Sequence, residues 1–412
     1  MAEGTNARRV IQVNKNIIGP TEPRRKTVRA RKAGDYPNVA APHRDLAKKL
    51  SSPLLMGPPI SDELIAFVEH TFTEEEAGAA RHLGIVKGRT AEDVARAEHR
   101  PVEQIAPILD RLALEKRAIA SEGPPEKRRY RIMPIMPGMF EMVLIGEAPE
   151  TLSEWHRRFA ELFEALFETG YMVDYQDRAS PMIRFLPATQ ALAAHPMALP
   201  SDRLEVVLDR FDTFGLGYCQ CRMSAPPTAS GCGRPLEVCT VVGQWAEQGI
   251  EAGWLRRISK QNVLEVKREA ESHGLVTWIL NVESAKGQAS CSCCGCCCKA
   301  MRAVTEFNTP GMAAPPHFMP RFDRDACTSC GRCAKDCPMG AITVDTHEKT
   351  LTHQQPARCI GCGLCELACE RDKAIRMETV PEYRLPYKSW FSMLLRNAPG
   401  MLKTSWKVWR SR

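Results

Sequence analysis

The 412-residue sequence predicts an α+β chain of several domains: a helical block closed by a β-hairpin, a central α/β block rich in cysteine, and a C-terminal block built on a duplicated cysteine motif. Three observations carry this. Apolar residues recur at helical spacing through residues 61–117, then give way to two short β-type runs around Gly123, Pro124 and Pro125. All 18 cysteines lie between Cys219 and Cys369. Among them Cys327, Cys330, Cys333 and Cys337 are each repeated 32 residues later, as Cys359, Cys362, Cys365 and Cys369. The segments that follow are 1–60, 61–146, 147–316, 317–380 and 381–412.

A hydrophobic content of 44% over this length supports about two to four domains with cores of their own. Disulfide scaffolds distribute their cysteines for stapling, whereas these are crowded into one region, as metal ligands in a reducing compartment are. The first residues lack the apolar stretch of a signal peptide, and no 18 consecutive residues are apolar, so a cytoplasmic protein is expected. Net charge is +7, yet residues 1–50 hold 12 Lys/Arg against 4 Asp/Glu, which leaves the rest nearly neutral. Any steering of acidic partners therefore falls to the N-terminal segment.

Residues 1–60 carry Arg24, Arg25, Lys26, Arg29, Arg31 and Lys32, then Pro53, Pro58 and Pro59, and read as an extended basic arm that clamps another subunit, binds a polyanion or stays solvated. In 61–146 a first helix centres on Leu64, Phe67 and Val68. Thr73 and Glu76 form a capping box for a second, Thr90 caps a third through Val94, and a fourth carries Ile105, Ile108, Leu109 and Leu112. Residues 118–121 and 129–133 then form a hairpin. This order resembles a winged-helix domain, which implies contact with DNA. The charges oppose that: the helix that would read bases exposes Glu103, Asp110 and Glu115 around Pro107, with Arg111 and Lys116 alone to compensate, and only the wing, with Lys127, Arg128, Arg129 and Arg131, is basic. A structural or partner-docking role is expected instead of nucleic-acid binding.

Segment 147–316 opens with an amphipathic helix, 153–168, whose Trp155, Phe159, Leu162, Phe163, Leu166 and Phe167 share a face and predict a core or subunit interface. A strand at 181–186 and a helix at 202–208 follow. Cys219 and Cys221 then end a glycine-rich strand, where alternation puts both sulfurs on one side, with Arg222 placed to donate to sulfur. Cys232 and Cys239 follow across a loop. A helical hairpin is expected over 238–248 and, capped by Ser259, 260–273, then a strand at 275–280. Six cysteines within residues 291–298 cannot all bind one tetrahedral ion, because adjacent side chains diverge. The candidate ligands are Cys219, Cys221, Cys232 and Cys239, or a mixture of these with Cys293, Cys294, Cys296 and Cys297. They would hold a third iron–sulfur cluster or zinc; a disulfide or persulfide relay is the remaining reading.

In 317–380 the duplicated motif supplies three thiols from one tight loop and a fourth from a distant segment, as an iron–sulfur cube requires. On that logic Cys327, Cys330, Cys333 and Cys369 hold one [4Fe-4S] cluster, and Cys359, Cys362, Cys365 and Cys337 the other. Gly331, Gly361 and Gly363 let backbone amides approach sulfur, Pro338 turns the chain away, and Ile342 and Ile375 are placed to exclude water. Paired zinc sites use Cys-x-x-Cys hooks but need no third and fourth cysteine at these offsets. The segment closely resembles the bacterial two-cluster ferredoxins. It departs from them at Glu370, where the family usually has proline; a carboxylate there opposes adding an electron.

Residues 387–412 hold Trp390, Phe391, Leu394, Leu395, Trp406 and Trp409 among six Lys/Arg and no acids, and Pro399-Gly400 predicts two short helices. Such a tail suits an anionic membrane surface, an acidic groove on a partner, or packing on the protein's own core. Across the chain, Cys219-Gln220-Cys221-Arg222, the run from Gly231 through Arg234, Pro235 and Glu237 to Cys239, Arg257-Ile258-Ser259-Lys260, Gly274-Leu275-Val276 and Cys293-Cys294-Gly295-Cys296-Cys297 resemble a family of multidomain 4Fe-4S proteins of anaerobes. That resemblance implies a winged-helix-like N-terminal part, a central cysteine-rich domain and a C-terminal two-cluster ferredoxin domain; the long basic arm departs from it. No dinucleotide fingerprint, Walker loop or serine triad is present. The expected function is electron transfer as a partner or subunit of an oxidoreductase, with single electrons relayed through two [4Fe-4S] clusters to or from the central cysteines. It would act in the cytoplasm, where the inner face of the membrane is a docking surface. A redox-sensing DNA-binding regulator and a reductase with its active site at the central cysteines are the alternatives.

Overall fold

The computed structural model describes residues 10–175, 181–192, 195–225, 232–352 and 356–410. The chain divides into two compact units, residues 26–175 with 401–412, and residues 1–25 with 176–400.

In the first of these, helices Ala41–Leu50, Asp62–Thr71, Glu74–Ala80, Ala91–Glu98 and Val102–Asp110 precede an antiparallel pair, Ala120–Glu122 with Arg129–Arg131. The caps are those the sequence asks for. The Thr73 amide donates to Glu76 at 2.9 Å while the Glu76 amide donates to the Thr73 hydroxyl at 3.2 Å; Thr90 and Asp93 form the same reciprocal box, and the Ser61 and Ser153 hydroxyls each accept one amide of their helix. Helix Glu154–Glu168 buries Phe159, Leu162, Phe163, Leu166 and Phe167; Phe163 stacks on Phe140 at 3.8 Å between ring centres, so its aromatic face is core. Within the segment expected to be an extended arm, residues 21–32 carry no regular structure, but residues 41–50 form a helix. Helix Ala41–Leu50 buries His43, Leu46, Ala47 and Leu50, a helical stripe interrupted in the sequence by Arg44, Lys48 and Lys49.

The other unit is built on a six-stranded antiparallel sheet in the order Ile183–Phe185, Val276–Leu280, Gly287–Cys293, Cys239–Gly243, Phe214–Gly217, Arg256–Ile258. The helical hairpin expected from 238 is corrected here. Cys239–Gly243 is a strand, buried at every position, because Thr240, Val241 and Val242 are β-branched and both faces are covered; the helix is Gln244–Glu251. Helix Lys260–Ser272 starts on its Ser259 cap.

Beyond this sheet, Phe318–Phe322 pairs with Ile375–Thr379, and Thr343–Asp345 with Thr350–Thr352. Residues 10–20, also expected to be arm, form a hairpin, Ile11–Asn14 with Ile17–Pro20, that extends the second pair to four strands through Ile18 opposite Val344. Val10, Ile11 and Ile18 supply the apolar area that holds it there. Tyr387–Ser389 runs parallel to Val282–Ser284, and the tail is one helix, Trp390–Arg410, with Pro399 inside it. The break expected at Pro399-Gly400 does not occur. Proline removes a single amide from the ladder and strains one turn, at about 3 kcal/mol, and the turns on either side remain bonded.

Candidate metal centres

The duplicated motif folds into two loops, each followed by a short helix, Arg332–Lys335 and Leu364–Ala368. Burial pushes the Cys333 thiol up to about 12, and the charges that raise it further are those of Cys327, Cys369 and Cys330. Burial likewise raises Cys365, with Cys362, Cys337 and Cys359 next in effect. In each case one of the thiols whose charge acts comes from the other repeat, Cys369 on Cys333 and Cys337 on Cys365, and Cys333 acts on Cys365 as well. Cys337, Cys359, Cys362 and Cys365 line one cavity, walled by Ile342, Ile360 and Met377. Ile342 and Ile375 are both buried in the adjoining core.

The local chemistry suits an anionic sulfur-bridged group. The Ala341 amide points at the Cys337 sulfur at 3.3 Å and the Ser329 amide at that of Cys327 at 3.4 Å. Gly331 and Gly363 have φ of 77° and 75°, and a Cβ on either would meet Ile18 at 2.4 Å or Ala191 at 2.6 Å. Arg358, one residue before Cys359, is buried, and among the described residues none of its three guanidinium nitrogens has a hydrogen-bond partner. A negative group beside it would answer that charge. The two sets differ in exposure: Cys330 is exposed, whereas Cys362 and Cys365 are buried. Glu370 points to solvent, which weakens its opposition to an added electron.

The ten central thiols separate into groups that differ from the expected ones. Cys232, Cys294, Cys296 and Cys297 are all buried, with sulfurs within 4.8 Å of one another. The Cys232 and Cys294 sulfurs stand 3.7 Å apart and those of Cys296 and Cys297 3.5 Å. Two thiolates on one tetrahedral ion with metal–sulfur bonds of about 2.3 Å sit about 3.8 Å apart, so these four fit a thiolate-held metal. Donation from Cys294 and the other neighbouring thiols holds Cys232 well below the ordinary thiol range, and the same neighbour, Cys232, raises Cys296 and Cys297. Two guanidinium groups face the group: Arg234 at 3.5 Å from the Cys232 sulfur, and Arg222, 5% exposed, at 3.8 Å from that of Cys294. Arg222 does therefore donate to sulfur.

Cys219, Cys221 and Cys239 are not in this group. The premise that Cys219 and Cys221 end a strand fails, because the strand stops at Gly217 and Cys219 caps the helical turn Gln220–Met223. On a helix, residues two apart point in different directions. The Cys221 sulfur accepts the Lys299 amide at 3.4 Å, and Cys239 lies 3.8 Å from Cys291. Cys293 also leaves the first group and touches Cys291 and Cys298. Gly231, part of the expected loop, lies outside the described residues. Cys291, Cys298 and Lys267 were missed as site residues. Lys267 had a signal: it shares the buried stripe Val263, Lys267, Ala270, where a lysine needs a reason.

The central thiols and the C-terminal sets meet in one apolar core, in which Cys293 and Cys298 are buried with Met339, Ile360 and Cys362, and Cys337 packs against them. Gly295 makes the approach possible: a Cβ there would lie 2.0 Å from the Pro338 carbonyl oxygen.

Residues 326–375 match the model of the 4Fe-4S dicluster domain. Through this segment the chain belongs to the 4Fe-4S dicluster family. The chain is similar to pyruvate synthase subunit PorD of Methanothermobacter marburgensis, 39% identical over 61 residues, which is 15% of this chain and 67% of that protein. It is also similar to DNA-directed RNA polymerase subunit Rpo3 of Methanosarcina acetivorans, 33% identical over 60 residues, 15% of this chain and 23% of that protein. The chain thus spans less than a quarter of the polymerase subunit and about two thirds of PorD. No solved structure matches it. A dicluster segment of this kind gives the protein an iron–sulfur, electron-transfer character.

Proposed function

We propose that this chain is an electron carrier working with, or as a subunit of, an oxidoreductase, and that it relays single electrons through two [4Fe-4S] clusters to or from a metal at the central cysteines. Cys327, Cys330, Cys333 and Cys369 would hold the outer cluster, and Cys337, Cys359, Cys362 and Cys365 the inner one. The observation that carries this reading is the shared apolar core in which Cys337 and Cys362 pack with Cys293 and Cys298. When bound, each cluster supplies a one-electron site. The protein's own part is to order these sites from exposed Cys330 inward, to keep water away with Ile342 and Met377, and to offset negative charge with Arg222, Arg234 and Arg358. The likeness to a pyruvate synthase subunit supports an oxidoreductase as the partner.

Residues 61–146 are read here as a winged-helix-like partner-docking domain. Arg111 and Lys116, the cations that would meet phosphate, are engaged with Glu76 at 3.1 and 2.7 Å, and Arg128 of the wing pairs with Asp110. This weighs against the DNA-binding alternative. Among the described residues no helix is long and apolar enough to cross a membrane. The tail helix does expose Phe391, Leu395, Leu402, Trp406 and Trp409 at helical spacing among basic residues, which supports peripheral docking on an anionic membrane.

The test is anaerobic purification followed by iron, sulfide and zinc analysis and reductive titration watched by electron paramagnetic resonance. About eight iron and eight sulfide from the two cubes, plus the central metal, with reduced-cube signals on titration, are expected. Zinc at the eight C-terminal cysteines, or cubes that no donor reduces, would overturn the assignment.

A further inference from the structure

Six central thiols lie outside the Cys232 group: Cys219, Cys221, Cys239, Cys291, Cys293 and Cys298. Among the described residues no three of them have sulfurs mutually within 4.8 Å, so they lack the convergence that a single tetrahedral ion needs. Two of them are placed for a different chemistry. Strand Gly287–Cys293 pairs antiparallel with Cys239–Gly243, with Ser290 opposite Thr240, and one step further along the same register Cys291 faces Cys239. Residues directly opposite on antiparallel strands have Cα atoms about 4.5–5.5 Å apart, inside the range of about 4.4–6.8 Å that a disulfide spans. The two sulfurs already stand 3.8 Å apart, so closure to about 2.05 Å asks for side-chain rotation and not for a shift of the strands.

The pair is set between a buried cation and the dicluster segment. Lys267 is 2% exposed and donates to the Ser290 carbonyl at 2.7 Å and the Ser292 hydroxyl at 3.1 Å, the residues on either side of Cys291. Burial lowers its pKa to about 8, and the charges of Cys291, Cys239, Cys293 and Glu271 act in the other direction. Donation from Cys239 holds the Cys291 thiol well below its ordinary range, and the same contact raises Cys239 well above it. One sulfur of the pair is thus a thiolate near an ammonium group, the nucleophile that making or exchanging a sulfur–sulfur bond requires. Cys291 also packs against the apolar core that contains Cys293, Cys298 and Cys362, and against which Cys337 packs too. Cys337 and Cys362 are thiols assigned to the inner cluster, so the pair and that cluster share one core.

We propose that Cys239 and Cys291 form a two-electron dithiol/disulfide site, closed by a bond between their sulfurs when oxidised and opened by electrons from the dicluster segment. Opening breaks the sulfur–sulfur bond and takes up two electrons, one from each cube, and one proton from solvent; Cys239 is left as the thiol and Cys291 as the thiolate near Lys267. Closing returns the two electrons singly to the cubes and the proton to solvent. The site makes one-electron carriers into a store for an electron pair. That goes beyond the electron-carrier reading, although it rests on that reading for the source of the electrons.

The full chain is prepared anaerobically as wild type, Cys239→Ser and Cys291→Ser. Each is poised with redox dyes at oxidising and reducing potentials, alkylated in denaturant, digested and examined by mass spectrometry. Electron uptake, iron, sulfide and zinc per chain and the signals of the reduced cubes are measured on the same preparations. Oxidised wild type is expected to give a peptide linked through Cys239 and Cys291 that is lost on reduction, and to take up about two electrons more per chain than either variant, with the same metal content and cube signals in all three. Absence of the link from oxidised wild type, a link through other thiols in its place, or equal electron uptake overturns the proposal. Loss of metal from either variant with the cube signals kept also overturns it, because the pair would then be metal ligands. If a variant loses the cube signals, the wild-type peptide decides. Cubes that are missing from wild type, or that no donor reduces, overturn the electron-carrier reading, and the linked peptide still reports on the pair.

Discussion

Replacing Gly295 with alanine probes the join between the central cysteines and the dicluster segment. The added Cβ would sit 2.0 Å from the Pro338 carbonyl oxygen, 2.9 Å from its carbonyl carbon and 3.2 Å from its Cα, all backbone atoms that no rotamer change can move. Reaching an ordinary contact of about 3.4 Å requires the two segments to part by about 1.4 Å. Inserting one carbon into a packed interior costs about 1–3 kcal/mol, and a backbone clash of this depth belongs at the upper end. With a urea slope of about 3 kcal/mol per molar for a unit of this size, the unfolding midpoint should fall by about 1 M. Gly34→Ala is the control, since its Cβ would meet nothing within 4 Å and its φ is not positive. Anaerobic urea titrations followed by loss of cluster absorbance give the midpoints, and magnetic coupling between the central and cube signals should weaken in Gly295→Ala alone. A midpoint within about 0.2 M of wild type would mean that the central run does not lie against Pro338, and the relay argued from that contact would fall with it.

Deleting residues 1–20 should speed loss of iron on exposure to air, because Ile18 covers Gly331 and pairs with Val344; equal rates of loss would refute this. Glu370→Pro should raise the potential of the outer cluster only slightly, with the shift vanishing as salt increases, since the carboxylate is exposed; a large, salt-independent shift in a redox titration would contradict this. Glu76→Gln should cost about 3 kcal/mol in thermal or urea unfolding of the unit that contains it, because it breaks a buried pair with Lys116 and Arg111. Burial raises the Glu76 pKa, but Lys116, the Thr73 amide and Arg111 more than offset that, so it lies below its ordinary 4.5. The stability it gives is therefore complete above pH 4.5 and is lost as pH falls through the depressed value; a wild type and Glu76→Gln that lose stability in parallel on acidification would refute the assignment.

What was legible in the sequence depended on how local the cause was. The Thr73/Glu76 capping box and the Ser259 cap each act over three residues and form as read, and the duplicated cysteines were read as crossed sets because one tight loop cannot close a cube. The strand Cys239–Gly243 was misread because burial on both faces erases the alternation that marks a strand. Helix Ala41–Leu50 hid behind its lysines and arginines. The partition of the ten central thiols could not be read at all. It is set by which sheet neighbour faces which, with Cys239 reaching Cys291 across adjacent strands and Cys221 meeting the start of a helix nearly 80 residues later.

The small sheet that joins Ile17–Pro20 to Thr343–Asp345 also bears on biosynthesis. Its two halves are some 330 residues apart, so during translation the hairpin emerges long before its partner strand exists. Contacts of such span form late, after the local loops have closed. The strand made first is thus the strand placed last, and until it arrives Gly331 and its neighbouring thiols lack their cover. That interval is a natural window for loading iron and sulfide, which closes when the beginning of the chain docks on its distant end.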